Sequence, residues 1–99
     1  MNAIVLVDAE NVRRSVWPNL SREELVERVE RWADREGVRA SVVFEGRGEP
    51  ADDRIVAEAA KLHALGDEIW VATSDRELRE RLKPNAERII GGGSFARTI

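Results

Sequence analysis

Three acidic sites stand where a chain could use them for chemistry. Asp8 directly follows a run of four branched apolar residues, Asp52 and Asp53 open a helical stretch, and Asp75 comes shortly after a later apolar run. Clustered carboxylates repel and raise one another's pKa, so a fold keeps them together mainly when a cation lies among them. Hard oxygen ligands at an open site suit Mg²⁺ or Mn²⁺, and two such ions can activate water for phosphodiester cleavage. These residues therefore indicate metal-assisted chemistry on a phosphate ester.

A simpler explanation competes with this one at each position. An aspartate near the start of a helix is often only a cap. Asp8 is harder to explain in this way, because it follows a buried strand and lies far ahead of Ser21, where the first helix is predicted to begin. Asn11 is either a turn residue or a group that aligns metal-bound water, and Trp17 is either a packing lid or a platform for base stacking. The sequence leaves both alternatives open.

The elements that must position these residues alternate between strand and helix. The apolar run before Asp8 is typical of a strand buried on both faces, and ligands bind at the carboxyl ends of such strands. A loop over Ala9–Leu20 is expected next. Ser21 and Glu24 then form a capping box for a helix that ends at Gly37. A second strand is predicted over Arg39–Glu45, followed by a short glycine-rich turn.

The second half repeats this alternation. We predict a helix from Asp52 to about Leu65, a strand over Glu68–Ala72, a third helix with a capping box of Ser74 and Glu77 that ends by Pro84, a short strand over Glu87–Ile90, and a terminal helical turn after Gly91–Gly93. In the Asp52 helix, a stripe through Ile55, Val56, Ala59 and His63 includes Asp52, which directs Asp52 toward the sheet. Trp32, Trp70 and His63 are expected to be structural.

This order predicts the fold. Crossovers of this length suit only parallel pairing, and right-handed crossovers give a three-layer α/β/α sandwich. We expect a mostly parallel four-stranded sheet in the order 2-1-3-4, in a single domain over residues 1–99. The first and third strands are then neighbours, so Asp8 and Asp75 should lie side by side at the carboxyl edge.

The composition narrows the classes of function. The net charge is −3, which argues against a passive nucleic-acid binder more than against an enzyme whose metal supplies positive charge locally. The chain has no cysteine, which excludes disulfides and thiolate metal sites. There is no apolar run long enough to cross a membrane and no basic region before the first apolar run, so we expect a cytoplasmic protein with no membrane partner.

Several motifs in order resemble one known family. Asp8-Ala9-Glu10-Asn11 is similar to its D-G-x-N, Val42-Val43-Phe44 to its V-V-F strand, Gly48 to Ile55 to its G-E-T-A-D-D-x-I, and Thr73-Ser74-Asp75 to its T-S-D. On these residues the chain resembles the YacP-like branch of the NYN domains, which are PIN-like ribonucleases. Two positions depart from the family: Ala9 replaces a glycine, and Pro50 replaces a threonine.

The resemblance implies a PIN-like fold and Mg²⁺- or Mn²⁺-dependent endonuclease cleavage of RNA. Its catalytic metal ligands would be Asp8, Asp52 and Asp75, with Asp53 assisting. The substrate would be held by a further set: Asn11, Arg13, Arg47, Thr73, Ser74 and Arg76. The expected partner is RNA, with the ribosome as a candidate, and the chain could be a monomer or a homodimer.

Two other functions compete with the ribonuclease. One is a non-catalytic module of the same fold that binds RNA or a ribosome-associated partner, although a pure binder would do better without repelling carboxylates. The other is a phosphatase of the haloacid dehalogenase type, which Asp8-Ala9-Glu10 and the later T-S-D loosely suggest. That type needs Asp-x-Asp and a downstream lysine, whereas Glu10 breaks the first element and the only lysines are Lys61 and Lys83.

Overall fold

A four-stranded parallel sheet forms the centre of the structure, a computed structural model that describes residues 3–46 and 48–99. The strands are β1 (Ala3–Asp8), β2 (Arg39–Val43), β3 (Glu68–Ala72) and β4 (Arg88–Ile90), in the order β2-β1-β3-β4. All three strand pairs are parallel. The predicted fold class and strand order are confirmed.

Helices cover both faces of this sheet. They are α1 (Ala9–Arg14), α2 (Arg22–Glu36), α3 (Ala51–Ala64), α4 (Arg76–Leu82) and α5 (Gly92–Thr98). One core packs α1, α2 and α5 against Val5 and Val7, and the other packs α3 and α4 against Ile4 and Leu6. Since side chains alternate along a strand, β1 supplies the centre of both cores. None of the helices described is long and apolar enough to cross a bilayer.

The ends of α2 follow the sequence signals. Ser21 Oγ accepts a hydrogen bond from Glu24 N (3.0 Å), and Glu24 Oε1 accepts one from Ser21 N (3.1 Å), which is the predicted capping box. Gly37 ends the helix with φ +68°, a left-handed conformation that glycine adopts without strain. Between these ends Leu25, Val29, Trp32 and Ala33 are buried, as their spacing predicts.

The segment after β1 differs from the prediction. Ala9–Arg14 forms the short helix α1, whereas the sequence favoured a loop over Ala9–Leu20. Burial of Ala9 and Val12 against the sheet stabilises this turn, and Glu10 pairs with the two arginines one helical turn ahead. A six-residue helix is marginal by itself, so tertiary packing decides its formation.

Other predicted boundaries shift slightly. β2 ends at Val43, opposite Asp8, because β1 offers no further backbone beyond that point. The helix α4 begins after Asp75, so the capping box predicted for Ser74 and Glu77 is wrong. In α3 the buried stripe starts at Ala51, and His63 is exposed and lies 3.5 Å from Glu87 Oε1.

Candidate functional site

A pocket of about 460 Å³ opens at the carboxyl ends of the strands. We call it the acidic pocket, because carboxylates dominate its lining: Asp8, Glu10, Asn11, Arg14, Ser15, Glu45, Asp52, Ser74 and Asp75. These residues come from segments far apart in sequence. Asp8 ends β1, Glu45 follows β2, Asp52 lies in the first turn of α3 and Asp75 precedes α4. The strand order therefore gathers acids that the chain keeps separate, as the sequence predicts for Asp8, Asp52 and Asp75.

Asp8 lies deepest in the acidic pocket, with 6% of its surface exposed. Its Oδ2 accepts a hydrogen bond from Thr73 Oγ1 at 2.8 Å. Although it stands at the N-cap position of α1, its side chain caps no backbone N–H. Burial raises the pKa of Asp8, the Thr73 hydrogen bond opposes that rise, and the charges of Asp52, Asp75 and Glu45 add to it. Within residues 3–46 and 48–99 no arginine forms an ion pair with Asp8, so it is a buried carboxylate for which the capping explanation does not account.

Asp52 lies in the first turn of α3, and Glu45, which follows β2, contacts the start of that helix. Glu45 Oε2 accepts a hydrogen bond from Ala51 N at 3.2 Å and so caps a helix whose N-cap residue, Pro50, has no side-chain cap of its own. Partial burial raises the pKa of Asp52, and the charges of Asp75 and Glu45 raise it further. Both residues thus face the same group of negative charges.

Asp75 has a structural role as well as a place in the pocket. Its Oδ1 accepts from Leu78 N at 3.0 Å, which caps α4. Its own N–H donates to Thr73 Oγ1 at 3.1 Å. Thr73 therefore joins Asp8 to the turn that carries Asp75, and it is completely buried behind them. The capping explanation is therefore correct for Asp75. The residue also lines the pocket, and only one of its two carboxylate oxygens is used by the cap.

A hydrogen-bond network fixes the other wall of the pocket. Asn11 Oδ1 accepts from Ser74 N at 2.8 Å, and Ser74 Oγ accepts from Gly92 N at 2.7 Å. Because a backbone N–H needs an acceptor, this contact sets the orientation of the Asn11 amide and leaves its nitrogen as a donor. The close approach requires glycine at position 92, where a Cβ would lie 2.4 Å from Asn11 Oδ1.

Glu10 holds three arginine side chains at the edge of the pocket. Its Oε1 lies 2.6 Å from Arg13 and 3.2 Å from Arg14, and its Oε2 lies 3.6 Å from Arg22 Nε. One carboxylate cannot neutralise three guanidinium groups, so an excess of positive charge remains. Arg14 is the member that lines the pocket, and its side chain is 68% exposed.

The structure does not bring every predicted residue into the pocket. Asp53 points away and pairs with Arg81 at 2.9 Å. Arg13 donates to Leu20 O at 2.9 Å and to Glu10, which holds it within the α1 turn. Arg76 lines a neighbouring groove that shares Ser74 with the pocket. Arg47 lies outside the described residues.

The sequence reasoning missed four lining residues: Glu10, Arg14, Ser15 and Glu45. Glu45 had a usable signal, because it is an acid directly after an apolar strand, as Asp8 is. Glu10 and Arg14 stand in α1 and Ser15 directly follows it, and the loop predicted there gave no reason to place them at the sheet edge.

The acidic pocket offers carboxylate oxygens as possible ligands for a metal ion. Its carboxylate oxygens are hard ligands that suit Mg²⁺ or Mn²⁺. Over residues 3–46 and 48–99, however, no three Asp, Glu or His side chains stand ready to hold an ion together. The described residues therefore offer the right kind of oxygen ligand but no closed ligand cage, and an ion bound here would have to keep several of its waters.

Comparison with known proteins gives matches among solved structures. No family model matches the chain, and no curated protein matches it. Among solved structures it is similar to a crystallised mutant of Rae1 (YacP) from Bacillus subtilis, with a TM-score of 0.82 and 24% sequence identity. The match covers 99% of this chain and 74% of the other. The chain therefore has a YacP-like fold.

Proposed function

We propose that the protein is a metal-dependent ribonuclease that cuts RNA internally, with Mg²⁺ or Mn²⁺ held at the acidic pocket. One observation carries the proposal: besides Glu10, which pairs with arginines, four carboxylates from four separate segments line one pocket, where burial and mutual repulsion raise the pKa of two of them. A fold pays for such repulsion when a cation relieves it. The resemblance of the D-x-x-N, A-D-D and T-S-D motifs to PIN-like ribonucleases supports RNA as the substrate.

The residues divide into roles by their position. Asp8, Asp52 and Asp75 would hold the ion, with Glu45 as a fourth carboxylate beside them. A divalent ion bound there would supply a Lewis acid for the phosphoryl group and lower the pKa of an attacking water. Thr73 fixes the orientation of the Asp8 carboxylate through its 2.8 Å hydrogen bond.

The opposite wall would receive the RNA backbone. Arg14 is exposed at the pocket and offers positive charge to a phosphate. Asn11 offers the amide donor that its contact with Ser74 leaves free, and Ser74 offers its hydroxyl proton, whereas Ser15 Oγ already donates to Val12 O at 2.6 Å. Arg76 lies in the adjoining groove, where it could contact a second phosphate.

The test is cleavage of end-labelled RNA by Asp8→Asn and by a matched control. Single-stranded and hairpin RNAs are incubated with Mg²⁺, with Mn²⁺ or with chelator, and the cut ends are mapped. We expect internal cuts that require metal, and a loss of at least about 10²-fold in Asp8→Asn. Asp34→Asn makes the same change at an exposed position in α2, distant from the pocket, and should cut like wild type.

Two results would contradict the proposal. Cleavage that persists in chelator, or that survives Asp8→Asn, would place the chemistry elsewhere. RNA binding without cleavage under every metal condition would favour the non-catalytic binding module of the same fold.

A further inference from the structure

The loop between α1 and α2 exposes a large aromatic side chain. Trp17 is 90% exposed, and in the described part of the chain the only other large apolar side chain with comparable exposure is Leu65, at 71%. The other two tryptophans are packed: Trp32 is buried and contacts Phe95 edge to face, and Trp70 packs partly against the same core. Trp17 therefore does not serve the core, which excludes the packing-lid interpretation of this residue.

Trp17 lies at a groove of about 640 Å³ that also contains arginines. The groove is lined by the loop around Trp17, by α2 through Glu24 and Arg28, and by the C-terminal residues Ala96, Arg97 and Ile99. Arg28 lies 3.8 Å from Glu24, a long pair at the surface that neutralises it weakly. Within 3–46 and 48–99, Arg97 makes no ion pair. The charged side chains that line the groove are therefore two arginines, Arg28 and Arg97, and one acid, Glu24.

The groove and the acidic pocket are lined by residues that are neighbours in sequence. Ser15 lines the pocket, and Val16 and Trp17, the next residues, line the groove. On the other side, Arg97 folds back over α5, so that its guanidinium would lie 3.3 Å from a Cβ on Gly93. The adjacent Gly92 touches Asn11 and Ser74 of the pocket. Consecutive residues of the α1–α2 loop therefore join the pocket to the groove.

We propose that Trp17 stacks on an unpaired base of single-stranded RNA, while Arg28 and Arg97 contact its phosphates. The inference rests on the proposed function in taking RNA as the ligand. An exposed indole beside weakly neutralised arginines is the combination that single-strand binding sites use, since every base offers a face for stacking. A paired helix hides those faces, so this subsite selects unpaired RNA.

The test measures binding in chelator, where the RNA stays intact. The probes are a labelled oligouridine, an abasic oligomer of equal length and an RNA hairpin with a short loop. Affinities are compared for wild type, Trp17→Ala, Trp17→Phe and Leu65→Ala, the last removing the other exposed apolar side chain. Melting curves check that each variant is folded. We expect that all are, because both residues are exposed and their replacement removes no core side chain.

We expect Trp17→Ala to raise the Kd for oligouridine by about 5- to 150-fold. Trp17→Phe should retain much of the affinity, because its ring can still stack, and Leu65→Ala should bind like wild type. The abasic oligomer should bind weakly to wild type and be indifferent to Trp17→Ala. Arg97→Gln should reduce the salt dependence of binding by about one counterion.

Other outcomes would overturn the inference. Equal oligouridine binding by Trp17→Ala and wild type removes the stacking role, whether or not the protein cuts RNA. A dimer in sedimentation that Trp17→Ala converts to a monomer, with RNA affinity unchanged, would make a second copy the occupant of the groove. Conversely, Trp17-dependent binding by a protein that never cleaves RNA would sustain this inference while the proposed ribonuclease fails.

Discussion

At the scale of single residues, the acidic pocket is organised around a carboxylate that forms no ion pair in the part of the chain that the structure describes. Asp8 is buried, accepts one hydrogen bond from Thr73 and faces three other acids. The arginines nearest in sequence are drawn instead to Glu10. An acid kept in such a place costs stability in the absence of a cation, and that cost can be measured.

The first prediction concerns the pH dependence of this cost. The pKa of Asp8 is raised in the folded protein, so the folded state holds this proton more tightly than the unfolded chain. Its favourable contribution to stability is therefore present at low pH and is lost as the pH rises through the raised pKa. In chelator near neutral pH, Asp8→Asn should be more stable than wild type, and the difference should shrink toward about pH 4.

Urea unfolding of both proteins at the two pH values provides the measurement, with Asp34→Asn as the control for loss of one surface charge. If Asp8→Asn is the less stable protein at both pH values, then Asp8 is a structural acceptor for Thr73. Its repulsion by the neighbouring acids would then cost less stability than its hydrogen bond contributes.

At the scale of elements, the approach of α5 to the β3–α4 turn depends on one glycine. Gly92 N donates to Ser74 Oγ, and Asn11 occupies the space where a side chain at position 92 would lie. The contact holds three separate segments together at one wall of the pocket. Ser74 and Asn11 are therefore positioned by packing as much as by their own sequence context.

The second prediction is a comparison of two neighbouring glycines. Gly92→Ala places a Cβ 2.4 Å from Asn11 Oδ1, whereas at Gly91 the nearest atom is 3.7 Å away, an ordinary contact. Alanine normally favours a helix over glycine by about 1 kcal/mol. Here we expect Gly92→Ala to lose about 1–3 kcal/mol of unfolding free energy and to weaken cleavage, because Asn11 must move.

Gly91→Ala should leave both properties nearly unchanged. Chemical unfolding and the RNA cleavage assay, applied to the two variants side by side, distinguish a local clash from a general need for flexibility. Equal behaviour of the two variants would show that the network around Asn11 yields at little cost.

At the scale of the whole molecule, the proposed function requires a chain of net charge −3 to bind a polyanion. The charges are segregated rather than mixed evenly. Five acids line the pocket, while arginines from α1, α2 and α5 lie at its edge and along the Trp17 groove. A cation in the pocket would complete a surface that attracts RNA along its length.

The third prediction concerns metal and global stability. An ion that binds only the folded protein stabilises it by about 1.4 kcal/mol at ten times its Kd. For a domain of this size, we expect Mg²⁺ or Mn²⁺ to raise the melting temperature by about 4–8 °C or slightly more. Asp8→Asn should lose most of that shift, and Asp34→Asn should keep it. A shift that is the same in all three proteins would mean that the ion binds outside the acidic pocket.

The sequence by itself determined the architecture, because the signals for it are local. The unbroken apolar run before Asp8 could only be satisfied by cover on both faces, and the capping box at Ser21 with Gly37 bounded α2. The alternation of these elements then left parallel pairing as the remaining solution. From that order it followed that Asp8, Asp52 and Asp75 share one edge of the sheet.

The tertiary structure decided what each polar side chain does at that edge. Whether Asp53 turns to the pocket or to Arg81, and whether Arg13 or Arg14 is left exposed, depends on contacts between segments distant in sequence. The helix α1 likewise forms because its apolar side chains are buried, which no local signal predicted. The strand order determines at which edge of the sheet each strand ends. The orientation of a side chain there depends on differences of about 1 kcal/mol between competing partners, and only the packed fold brings those partners together.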